Sequence, residues 1–140
     1  QRGGVSMKTD IKYKQCNDKL LKEYKKRGEI SQFPYGCLYG IDTYTLYNYR
    51  ESEPNIPIAF ISLALEGESL TIYEFEVVKS KQRQRIGQSI ISDIQQNGIN
   101  LINKYFNSIN LNPSDKDAYE FWETCGYESE DKETMIWEKK

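Results

Sequence analysis

Apolar and polar residues along the chain follow two periods, one typical of strands and one typical of helices. Apolar residues fall three or four positions apart around Ile90 and Ile94, and again at Ala118, Phe121 and Trp122, which predicts two amphipathic helices. Short apolar or aromatic runs between turn residues predict strands. The predicted strands cover residues 11–16, 43–50, 58–65, 70–78, 108–111 and 134–138, and the predicted helices cover 19–26, a segment from 86 onward, and 115–125.

Two helix boundaries carry specific expectations. The helical spacing that begins at Ile86 continues through Ile102 and Tyr105, provided that the helix tolerates Gly98, which costs about 1 kcal/mol relative to Ala. Ser114 is predicted to cap the third helix, with an acidic residue three positions later as in a capping box.

The links between the predicted strands determine the fold class. The segment between strands 70–78 and 108–111 is long enough for a parallel crossover through a helix, and such crossovers are right-handed. The earlier strands are joined by short links, which favour antiparallel pairing. The sequence therefore predicts a single α/β domain with a mixed, mostly antiparallel sheet, a central parallel β-α-β crossover and helices on both faces. A length of 140 residues is typical of one domain.

The charge balance and the absent residue types limit the chemistry. Nineteen Lys and Arg against 21 Asp and Glu give a net charge of −2, which argues against nucleic acid as the main partner. The chain has no His, so it lacks an imidazole base or ligand. Cys16, Cys37 and Cys125 are odd in number and far apart, so we expect neither a metal site nor a disulfide framework.

The same survey yields expectations about the location of the protein. No apolar run approaches 18 residues, so no membrane-spanning helix and no membrane partner are predicted. Free thiols without an export signal favour the cytoplasm. Residues 1–6 resemble a cloning remnant ahead of a natural start at Met7, so the folded domain is expected to cover 7–140.

A cluster of cations between a predicted strand and the second helix is a local anomaly in this acidic chain. It comprises Lys79, Lys81, Arg83 and Arg85, and no acid follows before Asp93. The first turn of a helix has unpaired N–H groups and a partial positive charge, so it binds anions and disfavours cations. An anionic ligand would offset the repulsion between these cations and the positive end of the helix. The alternatives are a solvated basic loop and a nucleic-acid contact at residues 79–85.

Two motifs in this half of the chain are similar to those of a known superfamily. The segment Gln82-Arg83-Gln84-Arg85-Ile86-Gly87 and the segment from Asp115 to Tyr127, with Ala118 and Gly126 inside it, stand in the same order and on the same predicted elements. They resemble the acetyl-CoA loop and the second block of the GCN5-related N-acetyltransferases (GNAT superfamily). The resemblance covers about residues 58–137.

The resemblance implies a binding mode for acetyl-CoA as acetyl donor. Strand 70–78 would carry a bulge and splay from strand 108–111, and pantetheine would lie in the gap against the backbone of Val77. The N–H of Val77 would face the acetyl carbonyl. The residues implied in cofactor binding are Val77, Gln82, Arg83, Arg85, Ile86, Gly87, Gln88 and Asp115.

Four positions depart from the family pattern. Arg85 replaces the first Gly of the loop, and its side chain either crowds the pyrophosphate or pairs with a phosphate. Asp115 stands where an Asn often contacts the cofactor. Trp122 stands where many members have a Tyr that protonates the leaving thiolate, and Asn110 where some have a Glu base.

Without His, carboxylates are the candidate bases, and Glu74 and Glu76 border the implied cleft on one strand. Exposed carboxylates facing basic residues are the simpler interpretation of both. Three tyrosines are candidates to replace the missing acid: Tyr73, Tyr119 and Tyr127. A packing role is the simpler interpretation of each.

The sequence leads to one main functional hypothesis and two alternatives. The main hypothesis is an acetyl-CoA-dependent N-acetyltransferase, without a metal, that transfers an acetyl group directly to a primary amine on a small molecule, a protein lysine or an N-terminus. The alternatives are a catalytically weak GNAT-fold binding module and a nucleic-acid-binding protein that uses residues 79–85. The resemblance also allows a homodimer.

Overall fold

The computed structural model describes residues 10–82, 84–131 and 133–140 of the chain. Its strands are β1 (Ile11–Gln15), β2 (Thr43–Arg50), β3 (Ala59–Glu66), β4 (Ser69–Val77), β5 (Ser108–Leu111), β6 (Glu128–Ser129) and β7 (Met135–Glu138). Its helices are α1 (Asp18–Lys26), α2 (Ile86–Asn97) and α3 (Lys116–Thr124), with a 3-10 turn at Lys79–Lys81. The expected boundary at residues 1–6 and Met7 lies outside the described residues.

The strands form one sheet in the order β1-β2-β3-β4-β5-β7-β6. Within the described residues, every strand pairing is antiparallel except that of β4 with β5, which are parallel and connected through α2. The predicted fold class, a mostly antiparallel sheet with a central parallel crossover, is therefore confirmed.

Helices cover both faces of this sheet, because each strand alternates its apolar side chains between two cores. On one face, Ile90 and Ile94 of α2 are fully buried in a cluster with Leu70 and Ile109. On the other face, Leu21 and Tyr24 of α1 pack in a second cluster that includes Phe33 and Phe60. The Tyr24 and Phe60 rings lie 5.4 Å apart between centroids.

Two predicted helix boundaries are wrong. Helix α2 ends at Asn97, because Gly98 takes a left-handed φ of 72° while its N–H still donates to Ile94 O, which is how a glycine ends a helix. Ile102 is buried in irregular chain rather than in a helix. The N-cap of α3 is Asp115, whose side chain accepts from Ala118 N at 2.8 Å, and not Ser114.

The start of α2 packs tightly against α3 and β4 at Gly87. A Cβ on this buried residue would lie 3.1 Å from Phe121 Cε1 and 3.4 Å from Val77 Cγ2. Gly87 is one of the residues that the family resemblance implies in cofactor binding. In the structure, the space beside Gly87 is taken by the protein's own side chains.

Replacing Gly87 with Val is expected to lower the free energy of unfolding by about 1–3 kcal/mol, because the added methyl groups overpack the contact with Phe121. Gln88→Val is the matched control, since Gln88 is the exposed next residue of the same helix and changes stability by about 0.5 kcal/mol at most. Urea unfolding of both variants measures the difference. Equal effects would contradict the packing role.

Candidate functional site

Strand β4 contains a bulge that changes which face its side chains point to. Ser62 of β3 lies opposite Glu74, but the next residue, Leu63, lies opposite Ile72, so Tyr73 is an extra residue on β4. This shift keeps Phe75 on the same sheet face as Ile72 and places Glu74 on the other. The bulge that the family resemblance implies is present at Tyr73.

A cleft opens beyond the bulge because β5 is shorter than β4. All of β5 pairs with Ser69–Ile72, and the chain after Leu111 turns away through Pro113, so the rest of β4 has no strand on that side. The cleft has a volume of about 300 Å³. Its wall on one side is β4 from Ile72 to Val77 with Gln82, and on the other the turn from Leu111 to Ser114 with Phe121 and Trp122 of α3.

The backbone groups of Phe75 and Val77 point into this cleft. Leu65 N–H donates to Asp42 O on the β2 side, so odd-numbered β3 residues bond to β2 and even-numbered ones to β4. Phe60 and Ser62 therefore pair with Glu76 and Glu74. The alternate residues, Phe75 and Val77, direct their N–H and C=O groups away from β3.

One of these groups has a side-chain partner. Gln82 Nε2 donates to Val77 O at 3.1 Å, across the mouth of the cleft. Gln82 is exposed, so this hydrogen bond exchanges with water at low cost. Gln82 thus touches the predicted pairing site of the ligand, and its amide competes with any other donor for Val77 O.

The first turn of α2 faces the same end of β4 and has no side-chain cap. Helices α1 and α3 are capped by Asn17 and Asp115, whereas no side chain accepts from the first amides of α2. Ser89 N–H donates to Arg85 O, so the N–H groups of residues 86–88 precede the first bond of the helix. Within the described residues they have no hydrogen-bond acceptor, and they are available to an anion.

Arg85 occupies the N-cap position in the left-handed conformation, with φ 58° and ψ 21°. This conformation costs an L-residue about 1–2 kcal/mol relative to glycine. The backbone at this point therefore has a conformation that glycine adopts without strain. The side chain of Arg85 is exposed.

The basic segment is anchored and carries unpaired charge. Glu29 accepts from Ser80 N at 3.0 Å and from Ser80 Oγ at 2.7 Å, which fixes the 3-10 turn. Lys79, Lys81 and Arg85 form no salt bridge with any acid in the described part of the chain. Arg83, which was predicted to bind the cofactor, lies outside the described residues.

The two candidate bases lie on one face of β4 but in different environments. Glu76 accepts four hydrogen bonds, from Ser31 N to both carboxylate oxygens, from Ser31 Oγ, and from Gln32 N at 2.9 Å. Its carboxylate is therefore engaged in holding the loop after α1 against the sheet. A role for Glu76 as the base stays a prediction, and these contacts favour a positioning role instead.

Of the two glutamates, Glu74 is the better placed to act as a base. Burial raises the pKa of its carboxyl above the ordinary value, and the negative charge of Glu76 raises it further, while Lys25 opposes the shift. No hydrogen bond to a described residue occupies its carboxylate. A carboxylate that is half-buried, has no hydrogen-bond partner among the described residues and has a raised pKa is suited to act as a proton acceptor.

Glu74 also lies where the cleft meets a second pocket. This pocket has a volume of about 410 Å³ and is lined by the segment from Phe33 to Leu38, together with Thr43, Ser62, Tyr73 and Glu74. The cleft and the second pocket share Tyr73 and Glu74, so the two spaces meet at the bulge. A group bound in the second pocket therefore approaches the cleft at Glu74.

Two further predicted positions have structural roles. Asp115 directs its carboxylate to its own helix as the N-cap, so its predicted cofactor contact has a competing partner. Trp122 is buried and packs edge-on to Phe121 and Tyr127, with centroid distances of 5.0 and 5.1 Å. The Trp122 side chain therefore fills core space, and its indole has no hydroxyl group.

The described residues contain neither a candidate metal site nor a candidate membrane-spanning helix. They contain no group of three His, Cys, Asp or Glu side chains that would hold a metal ion. None of the described helices is both long and apolar enough to cross a membrane.

Comparisons by sequence find no relative, since no protein-family model matches the chain and no curated protein matches it. Comparison by structure finds many GNAT acetyltransferases. A dodecameric spermidine N-acetyltransferase from Vibrio cholerae has a TM-score of 0.64 and 10% identity, over 92% of this chain and 94% of that chain. The ribosomal-protein-S18-alanine N-acetyltransferase from Escherichia coli has a TM-score of 0.55 and 14% identity, over 90% of both chains.

A third similar structure contains the ligand that the sequence analysis implies. It is AtaTR bound with AcCoA, with a TM-score of 0.55 and 10% identity over 92% of this chain and 93% of that chain. These matches show that the chain has the GNAT acetyltransferase fold, as the two motifs predict.

The different environments of the two glutamates predict opposite effects on stability. Glu76→Gln is expected to destabilise the protein by about 1–2 kcal/mol, because charge-assisted bonds to the 31–32 amides are weakened. Glu74→Gln is expected to stabilise it at pH 7. The raised pKa of Glu74 means that its contribution to stability is greatest when it is protonated and is lost as the pH rises through that pKa.

Thermal unfolding of both variants at pH 7 and at pH 4 measures this contrast. The advantage of Glu74→Gln should shrink at the lower pH, where the native carboxyl is protonated. Hydrogen exchange at residues 31 and 32 should accelerate in Glu76→Gln alone. Equal shifts in both variants would contradict the assignment.

Proposed function

We propose that this protein is an acetyl-CoA-dependent N-acetyltransferase that transfers an acetyl group directly to a primary amine. The observation that carries the proposal is the backbone of β4 at Phe75 and Val77, which has no partner strand on the cleft side and ends beside the uncapped first turn of α2, where Gly87 packs against Val77. The GNAT fold supports it, because solved structures with this fold include a spermidine acetyltransferase, an alanine acetyltransferase and an AcCoA complex.

Successive groups along acetyl-CoA match successive groups of the protein along the cleft. An extended, amide-bearing arm pairs with the free N–H and C=O groups of β4, as an added strand would. The pyrophosphate is held by the N–H groups of Ile86, Gly87 and Gln88, with Lys81 and Arg85 nearby as charge partners. Gln82 releases Val77 O when the arm binds.

Bound acetyl-CoA supplies a thioester, and the protein supplies orientation and a proton acceptor. The Val77 N–H points into the cleft and donates to an oxygen on which negative charge develops, which lowers the barrier in a site of low dielectric constant. Glu74, at the junction of the two pockets, accepts the proton that the acceptor ammonium must lose before it can attack. No covalent enzyme intermediate is required.

The leaving thiolate needs little assistance from the protein. A free thiol has a pKa near 8.5, so the thiolate is a tolerable leaving group near neutral pH. Trp122 has no acidic proton to give, and burial raises the pKa of the Tyr127 hydroxyl far above its ordinary value. We therefore infer that solvent protonates the thiolate, with Tyr73, half-exposed and lining both pockets, as the hydroxyl group at their junction.

The catalytically weak binding module remains the second candidate, because Gln82 occupies Val77 O and Trp122 lacks a proton to donate. Binding of acetyl-CoA without thiol release on any amine would favour it. A nucleic-acid role for residues 79–85 would instead require binding that weakens steeply with salt and that acetyl-CoA does not affect. A homodimer stays a prediction.

Acetyl-CoA at 100 times its dissociation constant is expected to add about 2.7 kcal/mol of stability, which a thermal shift detects. Arg85→Ala and Arg85→Gly should both weaken binding about tenfold, because each removes one charge-assisted phosphate contact. Lys14→Ala is the control, since Lys14 is an exposed cation on β1, at the far edge of the sheet. Tighter binding by both Arg85 variants would show that the guanidinium obstructs the pyrophosphate.

Without ligand, the same two variants should differ from each other. Arg85→Gly relieves the left-handed strain that Arg85→Ala keeps, so the glycine variant should be more stable by about 1 kcal/mol. Urea unfolding of the two proteins measures this difference. Equal stability would mean that the N-cap of α2 does not adopt the positive φ.

The pH dependence of kcat/KM should report the Glu74 carboxyl. A base works only when deprotonated, so the rate should fall as the pH drops through a pKa above the ordinary carboxyl range. Glu74→Gln should lower kcat about 10²-fold or more and abolish this acid limb. Glu66→Gln, an exposed change at the end of β3, should leave the profile unaltered. An unchanged limb in Glu74→Gln would exclude Glu74 as the base.

A further inference from the structure

The residues that line the second pocket indicate which kind of acceptor amine would fit, which the fold alone does not. Its lining is apolar and aromatic along Phe33, Pro34 and Leu38, and Glu74 is its one ionisable acid among the described residues. We propose that the acceptor is a monocationic primary amine with an apolar or aromatic body, and that this pocket holds that body. The inference rests on the proposed acetyl transfer.

The distribution of charge argues against an acceptor with several positive charges. A polyamine would need several carboxylates along its length, whereas the described lining offers only Glu74. Glu76, its neighbour, has both oxygens engaged by the 31–32 amides. Lys25 lies close enough to interact with Glu74, and its ammonium donates to Phe33 O at 3.1 Å. A second ammonium of the acceptor would therefore meet a fixed cation.

The apolar wall is held in place before any ligand binds. Charged side chains anchor the segment that forms it at three points: Glu76 at residues 31–32, Lys25 at Phe33 and Asp18 at Cys37 N, at 2.9 Å. Phe33 is buried and keeps a positive φ of 69° between these anchors. A fixed apolar surface loses little entropy when it binds a fixed apolar body.

The size of the pocket and the position of Glu74 set the shape of the acceptor. A volume of about 410 Å³ accommodates a ring or a short alkyl chain. Because Glu74 lies at the junction with the cleft, an amine on a short linker reaches the junction while its body remains against Pro34 and Leu38. Tyr35, which is 88% exposed, forms the outer edge of the pocket.

The test compares acceptors that share the amine and differ in charge and body. Thiol release from acetyl-CoA is measured with 2-phenylethylamine, hexylamine, spermidine and the dipeptide Phe-Gly. We expect kcat/KM for phenylethylamine and hexylamine to exceed that for spermidine at least tenfold. Efficient acetylation of the dipeptide would also support the inference, and it would indicate that the acceptor amine is the N-terminus of a peptide. Preference for spermidine would overturn it.

A matched pair of variants checks that the second pocket is responsible. Leu38→Glu adds a carboxylate to the lining and should lower kcat/KM for phenylethylamine about tenfold while raising that for spermidine. Ile41→Glu makes the same change at a residue that is 93% exposed and outside the lining, and should alter neither value. Thermal unfolding confirms that both variants are folded. Identical behaviour of the two variants would overturn the assignment of the pocket.

Binding of the amines alone separates this inference from the proposed activity. Calorimetric titration of phenylethylamine and spermidine, without acetyl-CoA, measures the preference of the pocket directly. If acetyl-CoA neither binds nor reacts but phenylethylamine binds at least tenfold more tightly than spermidine, the proposed activity fails and the chemistry of the pocket stands. If acetyl-CoA binds and spermidine is the tighter ligand, the activity stands and the inference fails.

Discussion

The last residues of β4 have a strand on one side only, and the candidate site depends on this. Backbone N–H and C=O groups inside a protein need partners, and leaving them unpaired and buried costs free energy. The bulge at Tyr73 and the turn of the chain at Pro113 leave the groups of Phe75 and Val77 facing an open cleft. The fold thus keeps a ready place for one extended segment in the middle of its sheet.

The other features of the site are arranged around that opening. Helix α2 starts beside Val77 because Gly87 allows Phe121 and Val77 to approach its backbone. The unpaired amides of the helix therefore lie at one end of the unpaired stretch of β4. At the other end, the bulge turns Glu74 toward the junction with the second pocket. An elongated ligand that carries an anion at one end and a reactive group at the other matches this order.

Local sequence signals predict the elements well and the contacts between them poorly. The limits of β2 and β5 agree with the prediction because Tyr- and Thr-rich or apolar runs end there in turn residues. The family resemblance implies a bulge in β4, but no local pattern places it at Tyr73, because a tyrosine suits a regular strand equally well. The role of Glu76 depends on amides at 31–32, far away in the chain, and no local pattern reveals such a partner. Gly98 is a residue type that commonly ends a helix, but the helical spacing of Ile102 and Tyr105 beyond it led to the prediction of a longer α2.

Arg85 adopts a backbone conformation that normally favours glycine. The loop needs a left-handed backbone at the N-cap of α2, and glycine meets that need without strain. An arginine costs about 1–2 kcal/mol in the same conformation, which is similar to the gain from one charge-assisted bond to a phosphate. If Arg85 contacts the pyrophosphate as proposed, the gain and the cost are about equal when the anion is bound, and only the cost remains when it is absent. In the proposed function, a pyrophosphate at the first turn of α2 would offset the strain at Arg85.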